Sequence, residues 1–233
     1  MKLRQLAVAA AFAVAAASPL AAQTTETLIR TGNGSGLTVG TNRGTVYASP
    51  YQGRFAGDPT NASLDLFCID FMNNASPLNA GYTVALTSLG AGADLSATKF
   101  GNLTGALSKY QQAAWLISHH STATSTEWKS IQVAIWKIFS PTAYATNSGI
   151  EAAANSWLAQ AQQNYVNGQY GNFVVLTGQG TAGQYQEFIV VRPEVVPEPE
   201  TYALLATGLL ALFVAWRRRR REDEPIEVGG FGF

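Results

Sequence analysis

Charged residues are scarce in this sequence. They make up 13% of its 233 residues, and Lys plus Arg balances Asp plus Glu at 15 each. Soluble domains usually have about twice this share of charge. An even balance gives the chain no overall attraction to nucleic acid, so we expect no nucleic-acid partner. Together with 47% hydrophobic residues, the scarcity of charge excludes a charged disordered tail, a coiled coil and a multi-span membrane protein.

Residues that carry chemistry are also few, with one cysteine, Cys68, and two histidines. A metal site needs three or four ligands, and Cys68 with His119 and His120 supplies at most three, so we expect no metal and no other cofactor. No Gly-x-Ser-x-Gly nucleophile motif is present. Asp65 and Asp70 fall on opposite faces of one predicted strand, which disfavours an acid/base pair. We therefore predict that the protein is not an enzyme, since a hydrolase has no residue constellation behind it.

The N-terminus has the pattern of a secretory signal peptide. Lys2 and Arg4 precede a purely apolar stretch of about a dozen residues, which ends in small residues before Gln23. We therefore predict a signal peptide at residues 1–22, export through the Sec translocon, and an extracytoplasmic domain at residues 23–193.

The C-terminus has the pattern of a single membrane span. Residues 201–216 are uncharged and rich in Ala and Leu, and five arginines follow at 217–221. A helix of this length covers about 24 Å at 1.5 Å per residue, and Arg stems can cross the rest of a hydrocarbon core of about 30 Å. Because positive charge stays on the cytoplasmic side, we expect one transmembrane helix in the inner membrane, the domain outside, and a cytoplasmic tail at 222–233.

A short motif lies immediately before this span. It consists of Pro197, Glu198 and Pro199, and the arginines after the span are Arg217, Arg218, Arg219, Arg220 and Arg221. In this order, the three features resemble the PEP-CTERM sorting signal of Gram-negative bacteria. The resemblance implies a sorting signal at 194–221, recognition by an exosortase, C-terminal processing near the Pro-Glu-Pro motif, and display in the cell envelope, at the cell surface or in secreted form. Such signals usually stop at the arginines, whereas this chain continues to Phe233.

The segment 23–193 has the length of one domain. Runs of β-forming residues separated by Gly, Asn and Pro predict strands at 26–31, 44–48, 64–71 and 81–87, and again at 172–177 and 186–192. Helical spacing between these two groups predicts helices at 106–118, 126–139 and 149–165. The second and third helices are preceded by capping-box patterns, Thr124 with Glu127 and Ser148 with Glu151.

This order of elements defines the predicted fold class. It is α+β, with β-sandwich or barrel-like strands at both ends of the domain and a three-helix insertion between them.

Two polar groups stand in apolar segments. Cys68 lies in the predicted strand 64–71 and has no partner for an intramolecular disulfide. Gln132 lies on the second predicted helix, where Trp136 and Phe139 share its face. Burying an unpaired carboxamide costs about 1 to 3 kcal/mol, so Gln132 must be hydrogen-bonded or consumed covalently. In the covalent case the Cys68 thiolate attacks the Gln132 carboxamide and expels ammonia, and an amine later opens the resulting thioester.

The same two segments resemble the thioester domains of bacterial surface adhesins. Phe67-Cys68-Ile69-Asp70 matches an aromatic-Cys-apolar-Asp strand motif, and Gln132-Val133-Ala134-Ile135-Trp136 matches a Thr-Gln-x-Ala-Ile-Trp helix motif from its Gln onward. Ile131 stands where that motif has Thr, and the Cys-to-Gln separation is shorter than in the adhesins of Gram-positive cocci. The resemblance implies that Cys68 is the thioester sulfur and Gln132 its acyl partner, while Asp70 and Trp136 shape the pocket.

Two functions of different classes remain open from the sequence. One is a surface or biofilm-matrix adhesin that captures a surface amine once, covalently. The other is a non-covalent structural or exopolysaccharide-binding domain, in which Cys68 is a small buried hydrophobe and Gln132 is hydrogen-bonded. Aromatic residues such as Tyr47 and Tyr51 could stack on sugars, although core positions use the same residue types.

Overall fold

The computed structural model describes residues 24–192, together with Gly208, Leu209 and Leu212. Residues 24–192 lie within the first of two units of the chain, Met1–Arg192, and the description that follows concerns this unit. Its strands are β1 Thr25–Gly32, β2 Thr38–Thr41, β3 Gly44–Tyr47, β4 Tyr51–Phe55, β5 Leu64–Cys68, β6 Gly81–Gly90, β7 Gln169–Gly178 and β8 Phe188–Val191. Its helices are α1 Ala106–Ser118, α2 Ser125–Phe139 and α3 Ser148–Asn164.

Six of the strands close into a barrel. Their order is β1-β4-β5-β8-β7-β6, every pairing is antiparallel, and β2 and β3 form a separate hairpin. Closure pairs each strand on both sides, which removes the exposed edges of an open sheet. The three helices lie between β6 and β7 in the chain. The prediction of mixed strands around a three-helix insertion is confirmed, and the strands form a barrel.

Close packing inside the barrel explains one glycine. β4 pairs with β1 on one side and β5 on the other. A Cβ at Gly53 would lie 2.7 Å from Leu66 Cδ1 and 3.1 Å from the Ile29 carbonyl oxygen. Since real side chains do not approach so closely, the fully buried Leu66 fills space that only a glycine on β4 leaves free.

The starts of α2 and α3 differ in how they are capped. Thr124 Oγ1 accepts a hydrogen bond from Glu127 N, and the Glu127 carboxylate accepts one from Thr124 N, so the predicted capping box is present. At α3 the predicted box of Ser148 with Glu151 is wrong. Asn147 caps this helix by accepting from Ile150 N at 3.0 Å, because the Glu151 carboxylate is engaged elsewhere, by Lys137 and by Ala145 N at 2.8 Å.

Other strand predictions differ from the structure in number and length. β2 and β4 were not predicted, and β7 begins earlier than the predicted 172–177. β5 ends at Cys68 instead of continuing to Phe71. The reason is a turn, since the Asp70 carboxylate accepts hydrogen bonds from Met72 N at 3.1 Å and Asn73 N at 3.3 Å.

Within the described residues, no helix is long and apolar enough to cross a membrane. The predicted span 201–216 lies outside the described part of the chain except for three of its positions. The predicted signal peptide, the Pro-Glu-Pro motif, the arginine cluster and the tail 222–233 lie outside it altogether.

Candidate functional site

The structure brings Cys68 and Gln132 together. Cys68 is the last residue of β5, and Gln132 lies in the middle of α2. Gln132 Nε2 donates a hydrogen bond to the Cys68 carbonyl oxygen at 2.7 Å, across 64 positions of sequence. Both residues are buried, with exposed fractions of 4% and 1%. The carboxamide that the sequence left to be either hydrogen-bonded or consumed is therefore hydrogen-bonded to the cysteine with which it was predicted to react.

Burial dominates the electrostatics of the Cys68 thiol. Burial raises the thiol pKa, the Trp136 indole N–H and the Lys99 ammonium lower it, the Asp70 carboxylate raises it, and the net result is a pKa of about 12. The thiol donates a weak hydrogen bond from Sγ to the Asp70 carbonyl oxygen at 3.4 Å. At neutral pH the sulfur is consequently protonated and shielded from water, which disfavours random oxidation.

The Trp136 indole lies against the same sulfur. Trp136 follows Gln132 by one helical turn on α2 and is buried, and its ring packs on Phe71 with 5.1 Å between ring centroids. Its N–H lies near enough to Sγ to lower the thiol pKa, but no atom of the described residues meets hydrogen-bond geometry with Nε1. A buried donor without a full hydrogen bond is uncommon in folded proteins, and the Cys68 thiol is the group that this N–H influences here.

Asp70 and Lys99 form a buried ion pair beside Cys68. Lys99 Nζ lies 2.7 Å from Asp70 Oδ2, and Asp70 is 1% exposed. Asn73 Nδ2 donates to the same carboxylate oxygen at 2.7 Å. The Asp70 carboxylate holds the turn that follows Cys68, and its role in a thioester pocket stays a prediction. The sequence did not point to Lys99.

A second buried carboxyl group, Glu187, joins this network. The backbone N–H of Lys99 donates to Glu187 Oε1 at 2.8 Å, the Tyr110 hydroxyl donates to Oε2 at 2.6 Å, and Thr177 donates to Oε1. Burial raises the pKa of Glu187 above its ordinary value. The Glu187 carbonyl oxygen accepts from Ile69 N at 3.1 Å, so β8 and the end of β5 share this polar layer. The one signal in the sequence was an acidic residue directly before the apolar run 188–191.

A pocket of about 250 Å³ adjoins the site. Its lining includes Arg43, Tyr47, Tyr51, Phe71, Asn73 and Trp136. Tyr51 is 7% exposed and belongs to the core, whereas Tyr47 is 41% exposed; their rings meet edge to face at 6.2 Å. Neither Cys68 nor Gln132 belongs to the lining. Trp136 contributes both to this wall and to the surroundings of Cys68, so it is the side chain that the pocket and the site share.

The two histidines lie apart from this site in their contacts. The His120 ring packs edge to face on Phe67 and Trp128, while His119 Nδ1 lies 2.9 Å from the Trp115 carbonyl oxygen. Among residues 24–192 and the three isolated positions, no group of three or more His, Cys, Asp or Glu side chains could hold a metal ion.

The family comparison identifies the C-terminal motif. Residues 195–220 match the PEP-CTERM protein-sorting motif, which confirms the resemblance drawn from the Pro-Glu-Pro motif, the apolar stretch and the arginines. This motif implies that the protein is exported, associated with the cell envelope and processed by an exosortase, a membrane protein. A comparison with curated proteins finds none that matches.

Several solved structures are similar to the chain. A pilus-presented adhesin, Spy0125 (Cpa), is 13% identical with a TM-score of 0.47, the match covering 73% of this chain and 45% of that one. In another crystal form of that adhesin the values are 15%, 0.49, 76% and 66%. The N-terminal thioester domain of a surface protein from Clostridium perfringens is 11% identical with a TM-score of 0.41, covering 73% of this chain and 99% of that one. This chain thus spans less than half of the first adhesin's length.

Proposed function

We propose that this protein is an exported surface or biofilm-matrix adhesin that captures an amine covalently through a thioester between Cys68 and Gln132. The observation that carries the proposal is the 2.7 Å hydrogen bond from Gln132 Nε2 to the Cys68 carbonyl oxygen, inside a buried site. It holds the carboxamide of one residue beside the thiol-bearing residue that would attack it, and such positioning replaces a bimolecular encounter by an intramolecular one.

Thioester formation needs no external reagent. Cys68 Sγ adds to the Gln132 carboxamide carbon, the carbon–nitrogen bond breaks, and the thiol proton leaves with the nitrogen as ammonia. Because burial keeps the thiol protonated near neutral pH, the proton that the leaving nitrogen requires is present on the sulfur itself. Once formed, the thioester persists because the same burial excludes the water that would hydrolyse it.

Amine capture takes place at the same acyl carbon and breaks the thioester bond. The amine nitrogen attacks the Gln132 acyl carbon, the carbon–sulfur bond breaks, and the amine proton passes to the sulfur, leaving an amide on Gln132 and a free Cys68 thiol. The Trp136 N–H has no partner in the described part of the chain and is available to stabilise the negative charge that develops on the acyl oxygen or the sulfur. Each chain reacts once, so the protein is not a turnover enzyme.

A fluorescent primary amine tests this proposal. We expect it to label the purified chain through a bond that survives boiling in detergent, with one amine per chain, and peptide mapping to place the label on Gln132. Gln111 supplies a matched internal control, because it is fully buried and its Nε2 donates to the Leu89 carbonyl oxygen at 3.0 Å with no cysteine near it in the sequence. The Cys68→Ala variant should remain unlabelled, since a plain carboxamide does not react. Label on Gln111, or equal labelling of the variant, contradicts the mechanism.

The second candidate function is a non-covalent structural or polysaccharide-binding domain. The hydrogen bond between Gln132 and Cys68 favours it in one respect, because that bond already satisfies the carboxamide. The exposed Tyr47 ring at the pocket supplies a surface on which a sugar could stack. A chain that stays unlabelled by the amine yet retains an exopolysaccharide supports this function over the first.

A further inference from the structure

The pocket beside Trp136 has one sign of charge. Among the described residues that line it, Arg43 is the only charged one. The guanidinium lies over the Phe71 ring at 5.8 Å from the centroid. Its Nη1 donates to the carbonyl oxygens of Phe71 at 2.9 Å and Met72 at 2.6 Å. Those two bonds fix the guanidinium at the pocket while Nε and Nη2 make no hydrogen bond with a described residue, so a fork of donors remains for a ligand.

Two residues of the pocket lining each carry a buried polar atom that has no hydrogen-bond partner within the described part of the chain. These atoms are Trp136 Nε1 and Gln186 Oε1. Trp136 is 2% exposed. Leaving a buried donor or acceptor unpaired is costly. Because Trp136 Nε1 lies near Cys68 Sγ, the Arg43 fork is the donor group with which the pocket itself can meet a ligand.

The nearest carboxylate is not available to a ligand. Asp70 is buried, pairs with Lys99 at 2.7 Å, and accepts from Asn73 Nδ2 at 2.7 Å. A cationic ligand would meet Arg43 with no acidic side chain among the described lining residues, and like charges repel. A nearby cation also disfavours the protonated form of an approaching amine, and the neutral form is the nucleophile.

We propose that this pocket is the acceptor site and that it selects a primary amine whose carrier bears a carboxylate, bound by the Arg43 guanidinium. This inference rests on the proposed thioester and deepens it by naming the class of amine. The planar carboxylate matches the guanidinium fork in a bidentate contact. Its amine end lies against Trp136, which packs on Phe71 with 5.1 Å between ring centroids and follows Gln132 by one turn of α2.

Three matched amines test the selection on the full-length chain. They are 6-aminohexanoate, 6-aminohexan-1-ol and 1,6-diaminohexane, which share a chain length and differ in the charge of the far end. The measurement is the rate of adduct formation by intact mass at about pH 8, expressed per amine group. We expect the aminohexanoate to react roughly fivefold faster than the alcohol and the diamine to react slowest, as an exposed charge pair of ordinary strength predicts.

Two arginine variants distinguish the effect of the charge in the pocket from the effect of the protein's overall charge. Arg43→Gln should bring the three rates within about twofold of one another, since the pocket then has no charge that distinguishes the three far ends. Arg54→Gln, which removes the same charge from a residue that contacts Asn61 and not the pocket, should keep the order of the rates. Equal rates for the three amines on the unaltered chain, or an unchanged order in Arg43→Gln, overturn the inference and leave the thioester standing. No adduct with any amine overturns the thioester, and with it this inference.

Discussion

Removing the Lys99 ammonium takes the cation from the buried Asp70 carboxylate and a hydrogen-bond donor from the Tyr185 carbonyl oxygen. In Lys99→Met, Asp70 keeps its hydrogen bonds from Met72 N, Asn73 N and Asn73 Nδ2 but loses the ammonium at 2.7 Å. Two charges about 4 Å apart attract by about 4 kcal/mol at an effective dielectric constant near 20. Part of this lost attraction energy is offset because Lys99 no longer has to be desolvated, and the three remaining hydrogen bonds still stabilise the carboxylate. We expect a net loss of about 3 kcal/mol in the free energy of unfolding, in the range found when one partner of a buried pair is removed.

Urea unfolding near neutral pH measures this loss, with two matched variants beside it. Lys129→Met is the same substitution at a half-buried lysine that makes no ion pair within residues 24–192, and it should change the free energy of unfolding by less than about 0.5 kcal/mol. The double variant Asp70→Asn with Lys99→Met should recover most of the loss, because no charge is then left unpaired. A loss below about 1 kcal/mol in Lys99→Met, or no recovery in the double variant, would refute the role of this pair.

Three further predictions test the buried network, the indole and the barrel core. Burial raises the pKa of Glu187 above 4.5, so its contribution to the free energy of unfolding is complete below that pH and is lost as pH rises through the folded-state pKa. In Glu187→Gln, the free energy of unfolding, measured with urea across a pH series, should therefore decrease less with rising pH. An unchanged pH dependence contradicts this prediction. Trp136→Phe keeps a ring against Phe71 and removes the N–H. The rate at which methylamine opens the thioester, measured by mass, should then fall roughly 100-fold, which is the effect of losing one oxyanion donor. An unaltered rate excludes that role. Leu66→Ala in the fully buried barrel interior should cost about 3 kcal/mol by the same unfolding measurement, and a cost under about 1 kcal/mol would show that the interior is loosely packed.

The helices were predictable because their local signals agree with their environment. α1 has its predicted bounds, and α2 starts at the capping box of Thr124 with Glu127 and ends before Pro141. At α3 the local pattern failed, since a tertiary ion pair between Glu151 and Lys137 competes with the cap. The missed strand β4, Tyr51–Phe55, alternates buried and half-buried positions, but its Gly53 and two polar residues hide the alternation in the sequence.

The predicted part of the site was the part with a motif. Cys68 and Gln132 stand out as polar groups in apolar segments, and the structure places them in contact. Lys99, Glu187 and Arg43 were not predicted, because their roles depend on pairings across the fold. Lys99 contacts Asp70, 29 residues away in the sequence, and Glu187, 88 residues away. The periodicity of a local segment cannot predict such a contact.

The intact mass of the full-length chain, before and after treatment with methylamine, tests the thioester most directly. Cys68→Ala, prepared in parallel and corrected for the substitution, provides the reference mass. We predict that the unaltered chain is lighter than this reference by one ammonia, and that methylamine adds to it once and leaves the variant unchanged. A chain with no deficit, no methylamine adduct and a free Cys68 thiol would contradict covalent capture.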